Sequence, residues 1–341
     1  MKRKIPLHRL LTAEFLSTSQ WENIFISAFK GRFVPDGIKA ILLSLARKGE
    51  GEQELAGCVK ALRRLEPPTK VPVPFLIDVC GTGGDKKGTF NVSTVTGFVV
   101  AAAGGYMAKH GNRAVSSKTG SSDLMEALGV RIDIPFTRML EALRKFRFGY
   151  FHAPFMHPSF SKLQGIRREL GIRTLFNMMG PLVNPVELSF QMVGVANPEW
   201  LSPMAKALAA IGRKRAACFR SRDGLDELST QAPSDLFYIE ERKIRRIYLD
   251  PRKLGFRGRK KRKDYLGGDF KTNAEIARGV LEGRIDGPCQ DIVALNSGLA
   301  LWLTGIASTL QEGVERSRWI LRSGRGLEVL EAFRAYTRAR N

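Results

Sequence analysis

Apolar positions change their spacing along this chain, and the change divides it. From residue 22 to 66, ENIFISAFKGRF and DGIKAILLSLARKGEGEQELAGCVKALRRLE set apolar side chains three and four apart, the repeat of helices with one buried face. Gly31 and Pro35-Asp36 mark the joint, and the Pro-rich EPPTKVPVPF ends the block as a linker, because proline cannot continue a helix. Beyond it come short apolar or alternating runs, FLIDV, YMAKHG, RIDI, GYFHA, MVGVA, AACFR and LFYIE, separated by helical stretches such as STVTGFVVAAAGG, SDLMEALG and SPMAKALAAIG. Strands alternating with helices predict a mostly parallel sheet. The expectation is an α/β protein with a small all-helical domain, residues 1–74 joined by helices near 158–185. A larger domain, 75–341, holds a mostly parallel central sheet flanked by helices. No internal repeat is visible.

The longest apolar stretch, IVALNSGLALWLTGIAS, carries Asn296, Ser297 and Thr304 and reads as a buried helix rather than a membrane span. The start, MKRKIPLHRLLTAEFLS, is basic but lacks a long apolar core and a small-residue cleavage site, so it makes a poor signal peptide. Cys58, Cys80, Cys218 and Cys289 lie far apart without a CxxC pair, which argues against a zinc site or disulfide framework and fits a reducing, cytoplasmic setting.

Charge changes the picture more. Lysine and arginine number 55 against 33 aspartates and glutamates, a net +22 in 341 residues. Such a surface suits nucleic acid, a membrane surface or small anionic substrates. The densest run, RKLGFRGRKKRKDY (252–265), gathers Arg252, Lys253, Arg257, Arg259, Lys260, Lys261, Arg262 and Lys263 but only one Phe and one Tyr. It reads as a solvated loop, thin in the aromatics that stack bases.

Three stretches carry candidate chemistry. GTGGDKKGTFNVST (81–94) follows an apolar strand. Its glycines, Gly81, Gly83 and Gly84, permit positive φ and let N–H groups approach an anion. Asn91, Ser93 and Thr94 sit where a helix begins and its unpaired N–H groups point outward. A glycine turn with Ser93 or Thr94 capping the helix is the plainer alternative, and the loop lacks both a Walker ending and a dinucleotide spacing. YMAKHGNRAVSSKTGSSD (106–123) again follows an apolar run and collects Lys109, His110, Asn112, Arg113, Ser116, Ser117, Lys118 and Ser121, cations and hydroxyls suited to a phosphorylated ligand. DGLDELS (223–229) sets Asp226 beside Glu227; alone such a pair is ordinary surface charge, but beside two anion loops it suits magnesium. No Ser-His-Asp or Cys-His set is apparent.

In the order GTGGD…TFNVST, KHGNRAVSS, RRELGIRTLFN with GPL and NP, and GLDE, these motifs resemble the anthranilate phosphoribosyltransferase family over nearly the whole chain. The resemblance implies a magnesium-dependent transfer of the phosphoribosyl group of phosphoribosyl pyrophosphate to anthranilate. It implies that Gly81, Gly84, Asp85, Thr89, Asn91, Val92, Ser93 and Thr94 hold the pyrophosphate and ribose. Lys109, His110, Gly111, Asn112, Arg113, Ala114, Val115, Ser116, Ser117 and Ser121 close over the sugar phosphate. Ser93, Asp226 and Glu227 bind Mg2+. Asn112, Gly81 and Arg167 meet anthranilate, while His110 and His157 line its path. Lys109, His110 and Arg167 are the candidate catalytic residues; spacing alone leaves Arg167, Arg168 and Arg173 in competition, and the family motif selects Arg167. A homodimer formed through the helical domain is also implied.

Two departures stand out. Ser122 occupies a position where the family commonly has alanine, and Met156 precedes His157 where an aromatic is common. A non-enzymatic, nucleic-acid-binding relative is the rival reading, and the presence of the glycine loop and of Asp226-Glu227 argues against it. The same chemistry on another aromatic amine is a third.

Overall fold

Among the described residues seven strands supply the frame: β1 (Ile77–Gly81), β2 (Met107–Gly111), β3 (Phe148–His152), β4 (Phe190–Gly194), β5 (Arg215–Ser221), β6 (Ser234–Glu240) and β7 (Lys243–Leu249). They form one sheet in the order β3-β2-β1-β4-β5-β6-β7 in the computed structural model, which describes residues 16–114, 119–161, 163–256 and 265–339. Strands β1 to β5 are mutually parallel, and β6 and β7 add antiparallel at one edge. Every residue of β3 and β4 is buried, as expected of strands covered on both faces.

One face packs against helices Val92–Ala102, Phe270–Glu282, Pro288–Thr304, Leu310–Arg322 and Arg325–Arg338 around Phe98, Phe148, Leu299 and Phe333. The other is covered by Leu201–Ala210 and by the N-terminal helices Thr18–Phe29, Pro35–Lys48 and Glu52–Leu65. The first of these starts on a capping box in which Ser17 and Gln20 satisfy each other's backbone N–H. Short helices Pro158–Ser161, Gln164–Leu170 and Leu175–Met179 join the same cluster, with Phe25, Phe29 and Phe160 packed on Phe176. The stretch read as a buried helix is Pro288–Thr304, where Asn296 bonds to the carbonyls of Leu228 and Ile292. Among the described residues no helix is long and apolar enough to cross a membrane. The four cysteines are free and buried.

Two strand assignments need correction. RIDI (131–134) is not a strand: Ile132 and Ile134 are buried, but the Arg131 N–H bonds to Thr337 Oγ1 and Pro135 opens the next helix. Alternation there anchors a connection to the core without a ladder. Conversely, β7 went unrecognised because KIRRIYL is charged and mostly exposed, the composition that protects a sheet edge from further pairing.

All five parallel strands finish on the same side. Their carboxyl ends therefore deliver the glycine loop after β1, the lysine loop after β2, the turn after β3 and the acidic loop after β5 to one place, the usual ligand position in an open α/β sheet.

Candidate active site

The glycine loop leaves β1 through Gly83 and Gly84, at φ +67° and +76°, a conformation that side chains with a Cβ resist. Gly81 is not left-handed; its missing side chain matters because a Cβ there would overlap Asp226 Oδ2. Helix Val92–Ala102 follows with Asn91 at its cap position, yet Asn91 does not cap it. Its amide donates instead to the Thr119 carbonyl at 3.3 Å and accepts from Asn273 at 3.1 Å, tying the loop to the chain ahead of Ser121. Neither Ser93 nor Thr94 supplies a cap, so the plain capping alternative fails. Val92 and Thr94 are fully buried, behind the cleft surface. Thr89 pairs with Leu266 in an isolated bridge.

Asp226 and Glu227 arrive from the loop after β5 and lie half-buried at the base of the cleft. Asp226 Oδ2 accepts from the Gly83 N–H at 2.9 Å, and Glu227 lines the same cavity as Ser93. Burial, with Asp85 nearby, pushes the Asp226 carboxyl above the usual range. Burial and then the adjacent Asp226 likewise push Glu227 well above the usual range, against the pull of Lys109. Carboxylates crowded in this way favour a cation.

Lys109 is almost wholly buried on β2, its Nζ donating to the Val79 carbonyl at 2.8 Å. Asp78 on the neighbouring β1 accepts from Asn184 at 3.0 Å and from the His110 N–H at 3.3 Å. The His110 ring meets His157 edge-on, centroids 5.2 Å apart. Burial, reinforced by His157, holds His110 well below the ordinary imidazole range. His157 Nδ1 lies 2.8 Å from Glu66 Oε2, and Glu66 also accepts from the Ser159 N–H at 2.8 Å. Burial opposes ionisation of Glu66, but these bonds outweigh it and lower its pKa.

After β2, Asn112 donates its N–H to Ser121 Oγ at 3.2 Å. Arg113 forks onto Glu126 at 2.6 and 2.8 Å and reaches Asp123 at 3.2 Å. Asp123 in turn accepts from the N–H groups of Ala114 and Gly120, fixing the base of the loop. Val115, Ser116 and Ser117, also expected here, lie outside the described residues, as do residues 257–263 of the basic run.

The competing arginines separate in space. Arg167 is half-buried with its guanidinium 5.2 Å above Phe160. Arg173 donates to the Gly83 carbonyl at 3.1 Å and lies against Gly84, and Arg168 is exposed. Gly81, Gly84, Asp85, Thr89, Asn91, Ser93, Lys109, His110, Gly111, Asn112, Arg113, Ala114, Ser121, His157, Arg167, Asp226 and Glu227 all line one cavity of about 320 Å³. Sequence reasoning missed its apolar side, Pro154, Phe160, Phe176, Met179 and Val183, because these residues look like ordinary core. It also missed Glu66, which nothing local distinguishes.

The cleft thus has an anion-binding wall of glycines and a helix start, an acidic base, and an apolar side bearing an arginine, as in a transferase of phosphorylated sugars. The glycosyl transferase family a/b domain model matches residues 74–327. Anthranilate phosphoribosyltransferase of Acetivibrio thermocellus is 38% identical over 98% of this chain and 96% of its own. The crystal structure of the enzyme from Thermus thermophilus matches with a TM-score of 0.90 at 37% identity, over 98% of this chain and 99% of the other. That of Saccharomyces cerevisiae in complex with PRPP and Mg matches with 0.87 at 26% identity, over 97% and 96%. The chain belongs to the anthranilate phosphoribosyltransferase family.

The residues present fit a magnesium ion. Asp226 and Glu227 are hard oxygen donors whose ionisation a cation would restore. Among the described residues no three His, Cys, Asp or Glu side chains form a metal cage, so further ligands would come from phosphate oxygens and water.

Proposed function

We propose that this chain transfers the phosphoribosyl group of 5-phosphoribosyl 1-pyrophosphate to the amine of anthranilate and releases pyrophosphate, with Mg2+ as cofactor. The observation that carries the reading is the meeting, in one cleft, of the glycine loop and helix start with Asp226-Glu227, Lys109, Arg167 and an apolar wall. In the reaction the C1–oxygen bond to pyrophosphate breaks, a nitrogen–C1 bond forms, and the amine gives up one proton to solvent water or the released pyrophosphate. Bound Mg2+ supplies neutralisation of the charge that collects on the leaving pyrophosphate. Asp226, Glu227 and Ser93 would hold the ion, Ser93 as part of the glycine-loop wall.

The loop N–H groups and Lys109 stabilise the same developing charge, more strongly in the transition state than before it. C1 acquires oxocarbenium character as in glycoside chemistry. Arg167 grips the anthranilate carboxylate while the ring lies against the apolar wall, and Asn112 and Gly81 border the acceptor. Anthranilate's amine is neutral near pH 7, so positioning supplies much of the rate. His110, held neutral by burial, lines the path of the acceptor.

Residues 1–74 with the helices near 158–185 form the smaller domain in this reading. A homodimer assembles through it, and the enzyme works in the cytoplasm. Purified protein given anthranilate, phosphoribosyl pyrophosphate and Mg2+ should release inorganic pyrophosphate and one ribosylated amine. No release would refute the assignment, and sedimentation velocity tests the dimer.

A further inference from the structure

Behind the cleft runs an unbroken line of hydroxyl groups that the reaction outlined above does not use. Ser122 is completely buried, and its Oγ lies 2.8 Å from Tyr150 Oη and 2.8 Å from His152 Nδ1. Tyr150, also completely buried on β3, places the same Oη 2.9 Å from Ser121 Oγ. Ser121 Oγ accepts the Asn112 N–H at 3.2 Å, and the Ser122 N–H donates to the Asn112 carbonyl at 3.1 Å. The line therefore starts at His152, ends on two residues of the cleft wall, and passes through Tyr150 and Ser122 without touching the cleft.

Each hydroxyl has a single proton, so directions along the line are linked. When His152 Nδ1 accepts, Ser122 donates to it, Tyr150 donates to Ser122, and Ser121 donates to Tyr150. The Ser121 proton is then spent inside the protein. When Nδ1 carries a proton the line runs the other way, and Tyr150 donates to Ser121. Ser121, accepting from the Asn112 N–H, then keeps its own O–H, which faces the Asn112 carbonyl at 3.3 Å and can turn instead to the phosphate oxygens of a ligand in the cleft, which accept. Gly111 permits the approach, since a Cβ there would overlap both Tyr150 Oη and Ser121 Oγ.

We propose that Tyr150 and Ser122 are positioning residues that fix the Ser121 hydroxyl as a donor to the anionic sugar substrate. The polar Ser122, a departure from the alanine common in the family, is what extends the line from Tyr150 to His152. This inference rests on the proposed transferase reading.

The test is a double-mutant cycle in the full-length protein, with KM measured separately for phosphoribosyl pyrophosphate and anthranilate. Tyr150→Phe keeps the ring and removes only the hydroxyl. It is expected to raise KM for phosphoribosyl pyrophosphate about 3- to 10-fold, the size of one hydrogen bond, and to leave KM for anthranilate within about twofold. In a Ser121→Ala background the same change should do nothing further, because its effect travels through Ser121. Equal rises for both substrates, an unchanged KM, or the same loss in both backgrounds would overturn the proposal. Should Tyr150→Phe not fold, Ser122→Ala is read by the same criteria. Absence of any product from the wild-type protein would instead refute the transferase assignment itself.

Discussion

Asp226 Oδ2 accepts the Gly83 N–H at 2.9 Å, joining the acidic loop after β5 to the glycine loop after β1. One carboxylate thus shapes the loop expected to hold the pyrophosphate while offering oxygens to a cation. Asp226→Asn keeps the shape and removes the charge. It should lower kcat/KM about 10²- to 10³-fold and raise the Mg2+ concentration needed for half-maximal rate. A magnesium titration of the rate checks this, and an unchanged titration midpoint would remove Asp226 from the metal's surroundings.

Gly81→Ala tests the same contact from the other side. Its Cβ would overlap the Asp226 carboxylate, while the backbone there does not require glycine. The variant should fold with a melting temperature near that of the parent and show the raised magnesium requirement of Asp226→Asn. Normal magnesium dependence would mean that Asp226 can move aside without consequence.

Arg167 and Arg173 should divide the two substrates. Arg167 lies over the Phe160 ring, whereas Arg173 lies on the glycine loop. Arg167→Ala is expected to raise KM for anthranilate about 10- to 100-fold, the loss of a charged hydrogen-bond partner, with a far smaller change for phosphoribosyl pyrophosphate. Arg173→Ala should do the reverse. Steady-state kinetics with each substrate varied in turn would reveal a failure as equal losses for both.

Acid should destabilise the protein through its buried histidines. Burial, then the charge of His157, depresses His110, and burial, then Arg113, depresses His152. For a base with a depressed folded pKa, the unfolded chain takes up protons that the folded chain refuses. The stability these residues contribute is therefore present above the unfolded value of 6.5 and is lost as pH falls toward the folded pKa. Denaturant midpoints should drop between pH 7.5 and 5.5, and less in His110→Gln. An equal drop in that variant would assign the acid sensitivity elsewhere.

Much of this architecture was legible because parallel strands buried on both faces leave short apolar runs, and a ligand loop after such a strand concentrates glycine. FLIDV and GTGGD are of that kind. RIDI misled because alternation records burial and not pairing, and KIRRIYL was passed over because an edge strand is selected for charge. The polar residues of the cleft could be named in advance, since their types are unusual together. The apolar side could not: Phe160 and Phe176 differ from other core aromatics only in what stands opposite. Spacing was equally silent on the different partners of Arg167 and Arg173, six residues apart in the chain, one over Phe160 and the other on the glycine loop.

The polar walls of the cleft come from the ends of β1, β2 and β5, so these parts are distant along the chain and meet only when the middle of the sheet is complete. A nascent chain synthesised as far as β4 carries the glycine and lysine loops but not the acidic pair. Such a species can attract phosphate but lacks the groups that hold its counter-ion. Ligand-induced protection from proteolysis in the presence of magnesium should therefore appear late in refolding, together with closure of the long-range β1–β4–β5 contacts that slow such topologies.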